Sequence, residues 1–127
     1  MNPRQEYKKL INSFKYATEG IVSSFRTERN MKIHVLAMII VIALSFFFKL
    51  DKVEWSLIII AIVSVISAEL FNTAIETVVD MISPEKNPKA KLVKDIAAGA
   101  VFVVAIGAAI IGFIIFGPRV INLFFNN

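Results

Sequence analysis

Three long apolar blocks alternate with polar segments along the chain. Residues 35–48, 55–68 and 96–118 contain no charged side chain. A bilayer core of about 30 Å requires roughly 20 helical residues to cross it. The third block is long enough alone, and the first two become long enough when a few polar flanking residues are included. The pattern predicts three transmembrane helices and therefore an all-α membrane protein.

The polar segments indicate where these membrane helices end. Residues 83–91, SPEKNPKAK, contain two prolines and several charges, which is typical of a loop. Gly117 and Pro118 form a pair that commonly stops a helix, so the third helix is expected to end before them. The predicted spans are residues 30–49, 54–82 and 90–116. With the N-terminal segment they form a single domain over residues 1–127, which the chain length allows.

Residues 5–28 predict an amphipathic helix that lies on the membrane surface instead of crossing it. Apolar residues from Leu10 to Phe25 recur at spacings of three and four, which places them on one stripe of a helix. The basic residues lie mostly off this stripe, where they suit anionic lipid headgroups. The alternative is a helix that packs its apolar stripe on a partner protein.

The distribution of positive charge predicts the orientation in the membrane. Eleven of the 14 Lys and Arg residues precede the first apolar block or lie between the second and third blocks. Because cytoplasmic segments carry an excess of Lys and Arg, the N-terminus is expected in the cytoplasm and the C-terminus outside. This asymmetry explains the net charge of +4 without a nucleic-acid partner. The chain has no cysteine, which excludes disulfides and thiolate metal sites.

The second predicted span carries a polar stripe near its cytoplasmic end. At 100° per residue, six polar residues fall within about 100° of the helix circumference. They are Glu69, Asn72, Thr73, Glu76, Asp80 and Ser83. A carboxylate in hydrocarbon costs several kcal/mol, so such residues normally face a bundle interior or a cavity and mark a functional site.

Three carboxylates on one helix face are better explained by a functional site that binds a cation than by association between helices. Buried hydrogen bonds can hold helices together, and Asn72 and Thr73 alone would fit that role. Three carboxylates repel each other and need a cation, either Lys94 or a divalent metal ion. Oxygen ligands with no histidine or cysteine nearby favour Mg²⁺, which commonly accompanies phosphate groups.

Three residues before or within the first span have simpler interpretations when each is taken alone. Glu28 lies between two arginines and is expected in a solvated ion pair. His34 is interpreted as a membrane-interface residue. Tyr16 is either an interface aromatic or a residue that stacks on a base, and the sequence leaves both open.

A non-catalytic transporter or scaffold is the alternative class of function. A proton-coupled transporter is expected to place ionisable groups near the midplane of several helices. Here they gather at the cytoplasmic end, and the third span is uncharged beyond Asp95. The sequence has no P-loop and no Rossmann fingerprint, so a nucleotide would be bound in another way.

Two motifs give the chain a close resemblance to a known family. AELFNTAIETVVD at residues 68–80 and AKLVKDIAAGAV at residues 90–101 resemble the prokaryotic diacylglycerol kinase and undecaprenol kinase family. The resemblance extends over essentially the whole chain. It implies a homotrimeric integral membrane kinase whose active sites lie between subunits at the cytoplasmic membrane surface. The implied phosphate donor is ATP with Mg²⁺, and the implied acceptor is a lipid hydroxyl.

The resemblance also implies roles for individual residues. Glu69 matches the general base, and Glu28 and Glu76 match the two carboxylates that hold Mg²⁺ on the phosphates. Lys9, Glu69 and Asn72 are the implied contacts of the lipid substrate. The implied nucleotide site consists of Tyr16, Glu28, Glu76, Asp80, Glu85, Lys86, Asn87, Lys94 and Asp95.

The identity of the lipid rests on finer similarity within that family. LVKDIAAGAV and the basic, cysteine-free composition are more similar to the undecaprenol kinases of Gram-positive bacteria than to the diacylglycerol kinases of Gram-negative ones. This implies a multi-pass protein of a bacterial cell membrane that converts undecaprenol to undecaprenyl phosphate. Phosphorylation of diacylglycerol to phosphatidic acid is the alternative.

Overall fold

The computed structural model describes residues 2–125, which form four α-helices joined by short connections. The helices are α1 (Pro3–Thr27), α2 (Arg29–Phe47), α3 (Lys52–Ile82) and α4 (Pro88–Phe125). Within this range, α2, α3 and α4 are long and apolar enough to cross a membrane. The predicted all-helical protein with three membrane-spanning helices is confirmed at this level.

Two of the helices begin with capping boxes that the sequence encodes locally. The Asn2 side chain accepts a hydrogen bond from the Arg4 amide at 3.2 Å, and the Gln5 side chain accepts one from the Asn2 amide. At the start of α3, Asp51 and Glu54 exchange the same kind of bonds, at 2.9 and 3.0 Å. Each box satisfies amide groups that have no partner inside the helix.

A tight turn over residues 48–51 connects α2 to α3 and makes them antiparallel neighbours. Lys49 adopts a left-handed backbone conformation with φ of 51°. The Leu50 amide donates to the Ser45 carbonyl at 3.1 Å, which closes the turn on the end of α2. Leu50 is thereby buried against Ile58 of α3 and Phe116 of α4. This apolar cluster joins the three membrane helices at the end of the bundle opposite the polar stripe.

The fourth helix does not end before Gly117 and Pro118, and the prediction of a stop there was wrong. The helix continues to Phe125 with Pro118 inside it. Proline removes one helical hydrogen bond. The next residue, Arg119, makes one contact within α4 and another with α3. Arg119 donates from Nη1 to the Ile115 carbonyl at 2.6 Å and from Nη2 to both carboxylate oxygens of Glu54 at 2.8 Å. These contacts favour continuation of α4 past Pro118, and they connect its last turns to the first turn of α3.

Candidate active site

The polar stripe of α3 faces the helix bundle. Glu69 and Asn72 are 1% and 4% exposed, whereas Phe71 between them is 71% exposed. Thr73 is half-buried, and its Oγ1 lies 3.2 Å from Oγ of Ser24, a buried residue of α1. The stripe therefore packs against α1 and the other membrane helices at its Glu69 end.

Two buried polar atoms of this stripe have no hydrogen-bond partner in the described part of the chain. They are Glu69 Oε2 and Asn72 Oδ1. Leaving a buried acceptor unpaired costs about 1–3 kcal/mol, and more for a charged group. Such atoms mark a place where another hydrogen-bond donor fits.

His34 lies beside Glu69, a contact that the sequence analysis did not predict. Nε2 of His34 is 4.0 Å from Glu69 Oε2, and the imidazole is 21% exposed. The antiparallel packing of α2 on α3 produces this proximity. The expectation that no histidine lies near the carboxylates is corrected by the same contact.

Glu69, Asn72 and His34 open into a cavity of about 210 Å³ between α2, α3 and α4. Asn30 adds a further polar group from α2, and α4 contributes apolar side chains including Val101 and Phe102. The cavity is thus polar on one side and apolar on the other. This lining suits a hydroxyl group attached to a hydrocarbon chain.

Glu28 and Glu76 approach the same centre from two different elements. Glu28 is the single extended residue between α1 and α2, and its amide donates to the Ser24 carbonyl at 2.9 Å. Glu76 lies two turns beyond Glu69 on α3, and both glutamates are half-buried. Each contributes repulsion to the electrostatic environment of Glu69. The α1–α2 junction thus brings a third carboxylate, Glu28, towards the two glutamates of α3.

The glutamates do not form a complete metal cage by themselves. Over residues 2–125, no group of three or more metal-ligating side chains is close enough to hold an ion. Mg²⁺ is usually bound through one or two carboxylates, with phosphate oxygens and waters as the other ligands. Glu28 and Glu76 thus fit a magnesium ion that arrives with a nucleotide.

A second cavity, which we call the loop cavity, lies where α3 meets α4. It has a volume of about 260 Å³ and brings together most of the predicted nucleotide residues. They are Asp80, Glu85, Lys86, Asn87 and Lys94. Nζ of Lys94 lies 2.5 Å from Oδ1 of Asp80. The Asn87 side chain accepts a hydrogen bond from the Lys89 amide at 2.9 Å, which shapes the loop before α4.

Besides Glu28 and Glu76, three of the predicted site residues line neither of these two cavities. Asp95 pairs with Lys91 one turn away on the exposed face of α4. Tyr16 is 63% exposed on α1, and Lys9 is exposed nearer the start of that helix. At 1.5 Å per residue, Tyr16 lies about 18 Å from Glu28 along α1. The single chain does not bring these three residues to Glu69.

Sequence comparison decides between the remaining classes of function. Residues 15–116 match the family model described as prokaryotic diacylglycerol kinase. The chain belongs to this family. The predicted membership is confirmed, and with it the prediction of a lipid kinase. The transporter and scaffold alternatives are set aside, because the family and its named members are lipid kinases.

Individual members of the prokaryotic diacylglycerol kinase family match most of the chain. An undecaprenol kinase from Bacillus subtilis is 43% identical over 91% of this chain and 94% of its own length. A diacylglycerol kinase from Synechocystis is 35% identical over 96% of this chain and 70% of its own. A diacylglycerol kinase from Haemophilus influenzae is 37% identical over 74% of this chain and 80% of its own.

Proposed function

We propose that this protein transfers the γ-phosphate of ATP, bound with Mg²⁺, to the hydroxyl group of undecaprenol in a bacterial cell membrane. The observation that carries the proposal is buried Glu69, whose Oε2 has no hydrogen-bond partner in the described chain and which lines a cavity that is polar on one side and apolar on the other. A lipid alcohol supplies both the missing donor and a hydrocarbon chain for the apolar side.

Glu69 is the proposed general base. Its carboxylate accepts the hydroxyl proton while the lipid oxygen attacks the γ-phosphorus and ADP leaves. Phosphoryl transfer depends mainly on positioning and on charge neutralisation, and a positioned base typically contributes 10²–10⁴-fold. Asn72 lies on the same face and offers a second contact for the hydroxyl group. Lys9 is a proposed further contact of the lipid substrate.

Glu28 and Glu76 are the proposed Mg²⁺ ligands. The two carboxylates would hold the metal, which would neutralise the phosphate charge when bound. Glu28 lies at the α1–α2 junction and Glu76 lies on α3. The proposed metal site therefore forms only when these two parts of the chain pack together.

The loop cavity is the proposed position of the nucleotide. Lys94 offers a cation to the phosphates, with Asp80 holding it in place. Glu85, Lys86 and Asn87 border the same space. Tyr16 and Asp95 are proposed nucleotide contacts as well, and Asp95 pairs with Lys91, which lines this cavity.

A homotrimer is the proposed assembly, with active sites completed between subunits. Two features of the single chain support it. Large apolar side chains on the membrane helices are widely exposed, for example Phe102 at 66% and Phe113 at 79%. Tyr16, which is exposed on α1, also needs a neighbouring surface to reach a nucleotide in the loop cavity. The family resemblance implies the same arrangement.

The proposed topology places the N-terminus in the cytoplasm and the C-terminus outside. The excess of Lys and Arg before residue 35 and over residues 83–94 supports this orientation. α1 then lies on the cytoplasmic membrane surface, with exposed apolar residues such as Leu10 and Phe14 facing lipid. This arrangement puts the loop cavity on the side of the membrane that holds ATP.

Undecaprenol is preferred over diacylglycerol because of the relatives. The Bacillus subtilis undecaprenol kinase has a higher identity to this chain than the two diacylglycerol kinases described above, and the match spans nearly all of both proteins. Diacylglycerol remains the alternative acceptor, since the family model and several relatives carry that name.

Initial rates with each lipid test the proposal. The purified protein in mixed micelles receives MgATP and either undecaprenol or diacylglycerol at the same mole fraction. We expect faster transfer to undecaprenol. A wide preference for diacylglycerol would replace undecaprenol with the alternative acceptor. Absence of transfer to either lipid would contradict the proposed lipid kinase reaction.

A further inference from the structure

Ser24 anchors the last turns of α1 on the membrane helices. Over the described residues 3–27 of α1, it is the one buried residue, with 4% of its surface exposed. Its Oγ lies 3.2 Å from Oγ1 of Thr73 on α3, and one hydroxyl group donates to the other. We call these two residues the hydroxyl pair. The pair attaches α1 to the face of α3 that carries the polar stripe.

The same serine determines where α1 ends. The Glu28 amide donates to the Ser24 carbonyl at 2.9 Å, which closes the last turn of α1. Glu28 then has an extended backbone, with φ of −96° and ψ of 123°, and its side chain does not cap the described helix α2. The carboxylate is therefore not used to start the next helix. Its position follows from the position of Ser24.

Neighbouring hydroxyl groups do not provide the same link. A cleft of about 480 Å³ between α1 and α3 contains the hydroxyl pair, Glu28 and three further hydroxyl side chains. Oγ1 of Thr27 donates to the Ser23 carbonyl at 3.1 Å. Oγ1 of Thr77 donates to the Thr73 carbonyl at 2.8 Å. Each of these bonds stays within one helix, whereas the hydroxyl pair joins two helices.

The hydroxyl pair lies about one helical turn from both proposed Mg²⁺ ligands. Glu28 follows Ser24 by four residues, and Glu76 follows Thr73 by three. Because Glu28 lies at the end of α1 and Glu76 lies on α3, the distance between their carboxylates depends on how α1 packs on α3. The hydroxyl pair joins the helical turn before Glu28 to the helical turn before Glu76.

We propose that Ser24 and Thr73 are positioning residues that hold Glu28 in place relative to Glu76. The inference rests on the proposed function of these two glutamates as metal ligands. Mg²⁺ requires nearly ideal octahedral geometry, so a small displacement of one ligand weakens binding. Neither hydroxyl group lines the Glu69 cavity, so the pair acts on the metal site and not on the lipid site.

The Mg²⁺ requirement of three variants tests this role. Thr73→Val and Ser24→Ala each remove one hydroxyl group, and Ser24→Ala leaves α3 unchanged. For both we expect the Mg²⁺ concentration for half-maximal transfer to rise about fivefold, the factor by which one net hydrogen bond of typical strength shifts an equilibrium. The kcat at saturating Mg²⁺ and the KM for the lipid alcohol should not change. Thr73→Ser keeps a hydroxyl group and should retain the wild-type Mg²⁺ requirement.

Amide hydrogen exchange provides a readout that needs neither metal nor activity. Exchange of the Glu28 amide in the protein without ligands, followed by mass spectrometry of a peptide that contains it, should be about fivefold faster in Thr73→Val and Ser24→Ala. Thr77→Val is the matched control, because it makes the same substitution one turn further along α3 in the same cleft. It should change neither the exchange rate nor the Mg²⁺ requirement.

A wild-type Mg²⁺ requirement in both Thr73→Val and Ser24→Ala would overturn the positioning role, even if the Glu28 amide exchanges faster. A shift that Thr77→Val shares, or that Thr73→Ser also shows, would overturn it as well. Failure of the proposed metal site gives a different result, since Glu28→Gln itself would then keep the wild-type Mg²⁺ requirement.

Discussion

Nζ of Lys94 lies 2.5 Å from Oδ1 of Asp80, and this ion pair joins the polar end of α3 to α4 across the loop cavity. Asp80 is largely exposed and Lys94 is one-third exposed. Ion pairs with this exposure contribute about 0–1 kcal/mol to stability. The pair is therefore better explained by its position, since it holds a cation where the proposed nucleotide phosphates lie.

Replacement of Lys94 is expected to weaken nucleotide binding with little effect on stability. Lys94→Met removes the cation from the loop cavity, so the KM for MgATP should rise about tenfold, which corresponds to about 1.4 kcal/mol. Steady-state rates at varied MgATP measure this change, and thermal unfolding in detergent checks the stability. Lys89→Met is the matched control, because it removes an exposed lysine of the same loop region that does not line the cavity. Equal KM values for both variants would contradict the assignment.

Replacement of Glu76 or Glu28 is expected to change the requirement for Mg²⁺. Glu76→Gln and Glu28→Gln each remove one proposed ligand charge, so the Mg²⁺ concentration for half-maximal activity should rise about tenfold or more. Titration of Mg²⁺ at constant ATP measures the effect. Glu19→Gln serves as the control, because Glu19 forms an exposed pair with Lys15 on α1. If both variants reach half-maximal activity at the same Mg²⁺ concentration as the wild type, Glu28 and Glu76 are not metal ligands.

The stripe on α3 was predictable from the sequence because it depends only on helix geometry. A helix turns by a fixed angle per residue, so Glu69 and Asn72 share a face wherever the helix lies. The loop cavity was predictable for a similar reason, since Asp80 and Lys94 flank one short connection. In the structure, Asp80 and Lys94 line the same cavity and form an ion pair.

The contact between His34 and Glu69 was missed, although a signal for it exists. His34 precedes the turn at Phe48 by 14 residues, and Glu69 follows Lys52 by 17 residues. At 1.5 Å per residue, these positions lie roughly 21 and 26 Å from the turn, so an antiparallel pair of helices brings them to similar depth. Which faces of α2 and α3 meet depends on tertiary packing, which no local pattern encodes.

The end of α4 could not be predicted, because a long-range contact overrides the local stop signal. Gly117 and Pro118 favour a helix stop. Arg119 binds Glu54, which lies 65 residues earlier in the sequence, and this contact favours continuation of the helix. The sequence around Arg119 and the sequence around Glu54 contain no local signal for this pairing.

The same contact predicts a loss of stability when Arg119 is replaced. Arg119→Met leaves the partly buried Glu54 without its charged partner, and the free energy of unfolding should fall by about 1–3 kcal/mol. Arg119→Lys should retain part of the stability, since it keeps the charge and loses the two-oxygen contact. Thermal unfolding in detergent measures both variants. Lys52→Gln, an exposed change at the same end of α3, is the control, and a stability of Arg119→Met equal to that of this control would contradict a role for the ion pair.

The most direct measurement follows ³²P from ATP into the lipid for the wild type and for Glu69→Gln. Glu69→Gln keeps the shape of the side chain and removes its ability to accept a proton. We predict that the wild type labels undecaprenol as its phosphate. The variant should bind MgATP with the wild-type affinity and transfer phosphate at least about 100-fold more slowly. Transfer by Glu69→Gln at the wild-type rate would contradict the assignment of Glu69 as the base.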